Sequence, residues 1–326
     1  MELIAINLLD GAVTGLLLFM LSAGLTLIFS MMGVLNFAHA SFYMLGAYFG
    51  YQISKILSYA LGYDLGFFAA LIVAPIVVGF LGAGVEKYGL RRVHKFGHVP
   101  ELIFTFGLAF LIEEIVQFFW GVNLMAFELP PVLNFTLFSI GGNAFPAYKF
   151  FMIAITIVMF AGLLAILKRT RVGLVIQAAL SHPQTVEALG HNVPRVFMGV
   201  FGVGTALAGV AGVIAGPILG TFPGMAFVLG SIVFVVIVVG GLGSLWGALI
   251  ASMLIGWMTT FAKSYNVSGA DVMGLFGFLQ PDDMTDNPFR DIWTMTLPQI
   301  ADILPYLFLV LVLIFRPYGL MGRRET

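Results

Sequence analysis

The chain has 326 residues, 60% of them hydrophobic and 10% charged, with 15 Lys and Arg against 16 Asp and Glu and no cysteine. A mean hydropathy of +1.04, where ordinary globular domains carry about 25% charged residues, excludes a soluble enzyme and a disordered chain. The net charge of -1 excludes a nucleic-acid binder, and without cysteine there are no disulfides, thiolate nucleophiles or Cys-ligated metals.

What remains is all-α: a polytopic helical membrane protein, a single transmembrane domain over 1–326. A crossing needs about 20 apolar residues. In chain order the sequence predicts spans over 11–32, 40–58, 65–85, 101–120, 147–167, 196–217, 227–241, 244–262 and 303–316. The seventh and last are short and read as half-helices or re-entrant segments, giving about 8–10 transmembrane segments. No Lys or Arg precedes Lys55, so the first apolar run reads as a span rather than a cleavable leader.

Eleven of the fifteen basic residues fall in three short stretches: Lys87, Arg91, Arg92 and Lys95, then Lys168, Arg169, Arg171 and Arg195, then Arg316, Arg323 and Arg324. The positive-inside rule places these stretches, and the C-terminus, in the cytoplasm of a bacterial inner membrane. Segment 264–302 holds Asp271, Asp282, Asp283, Asp286, Asp291 and Asp302 against Arg290 alone, and is expected outside.

Small residues recur every four positions in two rows: Gly204, Ala208, Gly212, Gly216 and Gly220, then Gly240, Ser244, Ala248, Ser252 and Gly256. Such rows let helices approach closely where lipid is as apolar as leucine, and they read as packing faces. Between them Pro217, Gly220, Pro223 and Gly224 interrupt the apolar run. Broken backbone at membrane depth is tolerated only against protein or a water-filled cavity, which puts 217–230, with Thr221, near a pathway. Asn36-Phe37 and Thr221-Phe222 form a weak echo of a duplicated half.

The sequence holds no G-x-x-x-x-G-K-[ST] phosphate loop, voltage-sensor arginine repeat, carbonyl filter, nucleophile–base pair or metal-ligand spacing. No catalytic or metal site is predicted.

Several motifs carry a resemblance in their order and spacing. They are Gly33-Val34-Leu35-Asn36-Phe37-Ala38-His39-Ala40 with Tyr43 to Tyr48, Arg169-Thr170-Arg171-Val172-Gly173, Glu187-Ala188-Leu189-Gly190 with Arg195, Gly240-Gly241-Leu242-Gly243-Ser244, and Arg316-Pro317-Tyr318-Gly319. Together they resemble the shorter, H-type permease subunit of branched-chain amino acid ABC importers, the Liv system, over nearly the whole chain. Departures are the long 264–302 segment and Glu113-Glu114, where amides are expected.

The resemblance implies a pore-forming subunit with no ATPase site or cofactor of its own. Set in membrane lipid, it would pair with a second, M-type permease, two cytoplasmic ATPases that bind ATP and Mg, and an external solute-binding protein. The cargo implied is a branched-chain or other hydrophobic amino acid. Alternatives are urea, short amides or small organic and aromatic acids, or an ion-driven secondary transporter.

Within loop 168–195, Pro183 suits a helix start and Gly190 a helix stop. The resemblance implies that Glu187, Ala188, Leu189 and Gly190, with Arg171, couple to the ATPase; Lys168, Arg169 and Arg171 also fit plain positive-inside anchors. For the translocation path the candidates are Asn36, His39, Glu113, Gln117 and Thr221. Asn36 and His39 equally suit capping of broken helices. Glu113 and Gln117 share a helical face; the carboxylate either attracts an ammonium group or sits solvated near the outer interface. Glu101 reads as a solvated or dipole-favoured residue at a helix start.

Overall fold

The computed structural model describes residues 2–181, 183–275 and 290–322. Each predicted span has its helix: α1 (Glu2–Met32), α2 (His39–Leu61) and α3 (Tyr63–Val85) begin the chain. The last continues through a π-helical turn (Glu86–Leu90), the three-residue α4 (Arg91–Val93) and a 3-10 turn (His94–Phe96). Then come α5 (His98–Trp120), α6 (Ala147–Arg169), α7 (Arg171–Ser181), α8 (Pro183–Ala188), α9 (Val193–Leu219), α10 (Met225–Gly240) and α11 (Leu245–Ser264). The short α12 (Gly269–Leu275), α13 (Arg290–Thr294) and α14 (Leu297–Ile300) precede α15 (Leu304–Phe315).

Among the described residues six helices are long and apolar enough to cross a membrane: Glu2–Met32, Tyr63–Phe96, His98–Trp120, Ala147–Arg169, Val193–Leu219 and Leu245–Ser264. At 1.5 Å per residue, α10 and α15, with 16 and 12 residues, reach only about 24 and 18 Å, so both are partial spans as expected.

The core is α1 packed on α9 and α11, with α2 and α3 against α9. Small residues make this possible. A side chain at Gly212 would overlap the Tyr43 carbonyl and Ala47 amide, and one at Gly204 would meet Ile28 and the Gly24 carbonyl. Ala208 and Gly216 are buried on the same face, whereas Gly220, at φ 81°, caps the helix. The second row is corrected in one respect. Gly240 ends α10 and Ser244 is the N-cap of α11, its Oγ accepting from the Gly247 amide at 3.1 Å. The row therefore crosses a turn, and Gly240 meets Gly247 and Ala248 face to face.

Two helices begin inside the bundle. His39 Nε2 lies 3.0 Å from the Leu21 carbonyl, eleven residues or about 16 Å before the end of α1. Residues 33–38 thus double back from the end of α1 to its middle, and α2 starts there. Its second half carries Gln52, Lys55 and Ser58, which fits a helix running from half depth out past the apolar slab. The break at 220–224 is the counterpart: α10 starts after it, with Gly230 against Ala40.

The three basic stretches converge on one end. There Arg91, Glu187, Pro194 and Met321 line one cavity of about 1160 Å³ with Ser30–Gly33 and Ser244. The opposite end holds the described parts of segment 264–302, where Ser264 Oγ donates to Asn7 Oδ1 at 3.0 Å. Asp282, Asp283, Asp286, Arg323 and Arg324 lie outside the described residues. One feature at that end was not foreseen: strands β1 (Thr136–Ile140) and β2 (Asn143–Pro146) pair antiparallel with Phe138 opposite Phe145. They turn at Gly141 and Gly142, whose φ of 57° and 82° a Gly-Gly hairpin loop requires.

Candidate functional site

At half depth a cavity of about 340 Å³ lies between α1, the 33–38 segment, α2, α5, α10 and α15, bounded by Leu25, Asn36, His39, Phe106, Phe227, Phe234 and Tyr306. Its walls are aromatic. Phe37 stacks on Phe234 with centroids 5.8 Å apart and meets Phe106 edge-on at 6.3 Å. Phe110 continues the row, 5.0 Å from both Phe106 and Phe227. These rings are partly exposed, so the row opens on an outer face of the subunit. At the rim Ser231 Oγ and Tyr306 Oη are 2.7 Å apart.

Asn36 and His39 are 2% and 1% exposed. Asn36 Oδ1 accepts from the Ala38 amide at 3.1 Å, closing a local turn just before α2, while its Nδ2 has no partner among the described residues. His39 Nε2 bonds a carbonyl, which requires the proton there and leaves Nδ1 as an acceptor in the neutral ring. That Nδ1 is also unpartnered among the described residues. The cavity residues therefore include a spare donor and a spare acceptor in apolar surroundings.

Farther along α5, Glu113 and Glu114 follow Phe110 by three and four residues, and Gln117 follows by seven. All lie on the face of the aromatic row. Ser41 Oγ reaches the Ala109 carbonyl at 3.5 Å, which levels Ala109 with the start of α2; Trp120, bonded to Gln52, marks the far end of α5. Glu113 is half-buried and Glu114 exposed. An ionised carboxylate at the centre of a spanning helix costs ~2.5–3.5 kcal/mol on insertion scales and ordinarily meets protein or water.

Thr221 stands apart from the cavity. It is fully buried at the 220–224 break, where its carbonyl accepts from the Met125 amide at 2.8 Å and Phe127 packs against Gly216. The structure thus brings Asn36 and His39 together, sets Glu113 and Gln117 on the adjoining face, and separates Thr221 from both pairs.

At the basic end, α8 is one short helix, closed by Gly190 at φ 86° and by a 3.1 Å bond from the His191 amide to the Val186 carbonyl. Val186 packs with Ala179 and Val193, leaving Glu187, Ala188, Leu189 and Gly190 exposed, with Arg171 exposed at the start of α7. Glu101 lies in the first turn of α5, as the helix-start reading has it, but it is not solvated: it is 2% exposed and contacts both His94 and His98. Glu86, bound bidentately by Arg91, was not anticipated. The two are five residues apart, and a π-helical turn brings them together where the usual four-residue rule would not. Among the described residues no cluster of three His, Asp or Glu side chains is arranged to hold a metal.

Residues 7–313 match the family model for the permease component of branched-chain amino acid transport systems. The chain belongs to that family. The permease is 28% identical to the high-affinity branched-chain amino acid transport system permease protein BraD of Pseudomonas aeruginosa, over 98% of its own length and 96% of that protein's. It is 26% identical to LivH of Escherichia coli with the same coverages. To a probable LivH permease of Methanocaldococcus jannaschii it is 23% identical, over 97% and 92%. A solved chain of PsaBC from Streptococcus pneumoniae aligns over 95% of the permease and 91% of itself at 12% identity and a TM-score of 0.44, too distant to carry an argument.

Proposed function

We propose that the permease is half of the translocation pathway of an ATP-driven importer in the bacterial inner membrane, with its basic end and C-terminus in the cytoplasm. A second, related permease covers the face shared by Phe106, Phe110, Glu113 and Glu114, so the aromatic cavity faces the seam between the two. Two cytoplasmic ATPases, which supply the ATP and Mg sites, contact α8 through Glu187–Gly190. An external binding protein delivers cargo to the end that carries segment 264–302. The cargo is a branched-chain or other hydrophobic amino acid, whose side chain suits the phenylalanine walls.

The observation that carries this reading is the open, half-depth aromatic cavity on a face that also bears carboxylates. A face of that composition needs a protein or aqueous neighbour. The basic end supplies the second support: an exposed, well-capped short helix held by an apolar anchor behind it.

The test is uptake of labelled leucine into vesicles that hold the permease with its neighbouring gene products, with and without ATP. Uptake that needs ATP and the partner subunits, and that disappears in Glu187→Lys/Gly190→Val while the complex still assembles, is the expected result. ATP-dependent uptake of urea or an organic acid but not leucine replaces the cargo. Uptake by this chain alone, driven by an ion gradient, overturns the reading.

A further inference from the structure

Two carboxylates are buried at the basic end of a protein that has few charges to spend there. Glu86, with a side chain 3% exposed, opens the π-helical turn; Glu101, 2% exposed, lies in the first turn of α5. A buried carboxylate is costly unless it is paired and hydrogen-bonded, and each is. Arg91 grips Glu86 with Nε to Oε1 at 3.0 Å and Nη2 to Oε2 at 2.5 Å, while His94 Nδ1 contacts Glu101.

The Arg91 guanidinium has a second hold. Its Nη2 also donates to the Pro194 carbonyl, 2.7 Å away in the first turn of α9. Pro194 adjoins Val193, which packs with Val186 of α8. On the other side of the turn, Gly89 lacks a side chain where the Phe104 ring of α5 sits. From there α5 runs to the cavity: Thr105 Oγ1 accepts from the Phe37 amide at 3.3 Å, and Phe106 meets Phe37. The contacts therefore run without a gap from α8 to the cavity wall, and Arg91 carries the hydrogen-bonded step from α9 to the 86–90 turn.

The helix at the end of this series is free to follow it. Beyond the basic-end turns α5 packs chiefly on α2, and only 22% of its most apolar stretch is buried. The element between is a π-helical turn, a form that recurs at functional sites because it holds one residue more than an α turn.

We propose that Arg91 is the positioning residue that makes α5 follow α8, so that displacement of α8 reaches the Phe37–Phe106 wall through Glu86 and the 86–90 turn. If α8 shifts, the Pro194 carbonyl shifts with it. Arg91 cannot release Glu86 without stranding a buried carboxylate, and the same Nη2 holds the Pro194 carbonyl, so the turn and α5 move as one piece. This rests on the reading of α8 as the ATPase contact; packed elements with two arrangements are how such shifts travel.

The test uses the whole complex in vesicles and compares Arg91→Lys, which keeps the charge and loses the fork, with Arg91→Ala/Glu86→Gln, which removes the buried carboxylate and its partner charge together. Because the chain has no cysteine, Ile103→Cys, on the same face of α5 as Phe106 and Phe110, serves as a reporter at the seam with the second permease, its labelling rate read with and without ATP. The expected result is normal assembly and ATP hydrolysis, with cargo moved per ATP reduced on the order of tenfold, a usual size for coupling between sites. The ATP-dependent change in Ile103→Cys labelling disappears in the same variants. If cargo per ATP is unchanged, or falls only with the amount of assembled complex while Ile103→Cys still responds, the linkage is refuted and the ion pair is merely structural. An unaltered complex that shows no ATP-dependent uptake at all refutes the importer reading, and this inference with it.

Discussion

α9 and α5 look alike as sequences and differ as structures. Their mean hydropathies over the best window are 2.0 and 1.8, yet 56% of that window is buried in α9 and 22% in α5. What separates them is the size of the residues on the repeating face. α9 presents Gly204, Ala208, Gly212 and Gly216, which let α1 and α2 come into backbone contact; α5 presents Phe106, Phe110, Glu113, Glu114 and Gln117, which no close neighbour of that kind tolerates. Hydropathy finds both helices, and side-chain size tells which one builds the fold and which one leaves an aromatic and acidic face open.

The sharpest way to break that contrast is one substitution made in both helices. Gly212→Ala places a methyl group on the Tyr43 carbonyl and the Ala47 amide, neither of which can rotate away. Overpacking of this kind costs about 1–3 kcal/mol or more, so membrane-inserted permease resistant to protease is expected to fall severalfold. Gly107→Ala on α5 meets nothing within 4 Å and gains roughly 0.5–1 kcal/mol of helix propensity. Its yield is expected to equal or exceed that of the unaltered protein. If both variants behave alike in limited proteolysis, α9 is not the packing seam.

A smaller effect separates the two kinds of residue on the α5 face. Phe106→Ala takes away the ring between Phe37 and Phe110; such pairs contribute about 0.5–1.5 kcal/mol beyond their buried area, so leucine uptake is expected to fall roughly three- to tenfold. Glu113→Gln keeps shape and hydrogen-bonding reach while removing charge. It is expected to leave assembly intact and to change the preference for leucine over its deaminated 2-oxo acid. Equal uptake ratios before and after the change would assign Glu113 to the partner subunit instead.

Much of this was legible in the sequence because membrane helices announce themselves by composition. The helices at the nine apolar runs, the shortness of the seventh and last, the clustering of the described basic residues at one end and the Pro183–Gly190 helix follow from run lengths, charges and end signals. The half-depth start of α2 did not follow, because the doubling back of 33–38 is fixed by His39 meeting Leu21, a contact no local pattern encodes. The Glu86–Arg91 pair was hidden by the π-helical turn; for Glu101 the helix-start position was legible, but its burial was not. The hairpin at 136–146 was within reach: Gly141-Gly142 between two short apolar runs is a two-residue loop signal, passed over in a chain read as helical throughout.

The smallest expected effect belongs to a region held neither by small-residue packing nor by an aromatic face. At the end opposite the basic loops, Asp271 Oδ2 accepts from the Ser268 amide at 2.8 Å and from Ser268 Oγ at 2.7 Å, while Ser268 Oγ lies 3.2 Å from the Asp271 amide. These bonds hold the Asp271 carboxyl below the ordinary aspartate value of 3.8, because they favour the ionised form. A depressed folded value means that the added stability is present above the ordinary value and is lost as pH falls through the lowered one. The start of α12 should therefore loosen only below about pH 4, when the carboxylate takes up its proton. Hydrogen exchange of the amides at 268–275 is expected to quicken there, beyond the change in intrinsic rate, while those of α9 at 204–216 do not. Asp271→Asn should remove the pH dependence and leave the segment loosened at every pH. Protection that falls in both regions together would mean that α12 shares the cooperative core, and the division between packed seam and locally capped periphery would then be false.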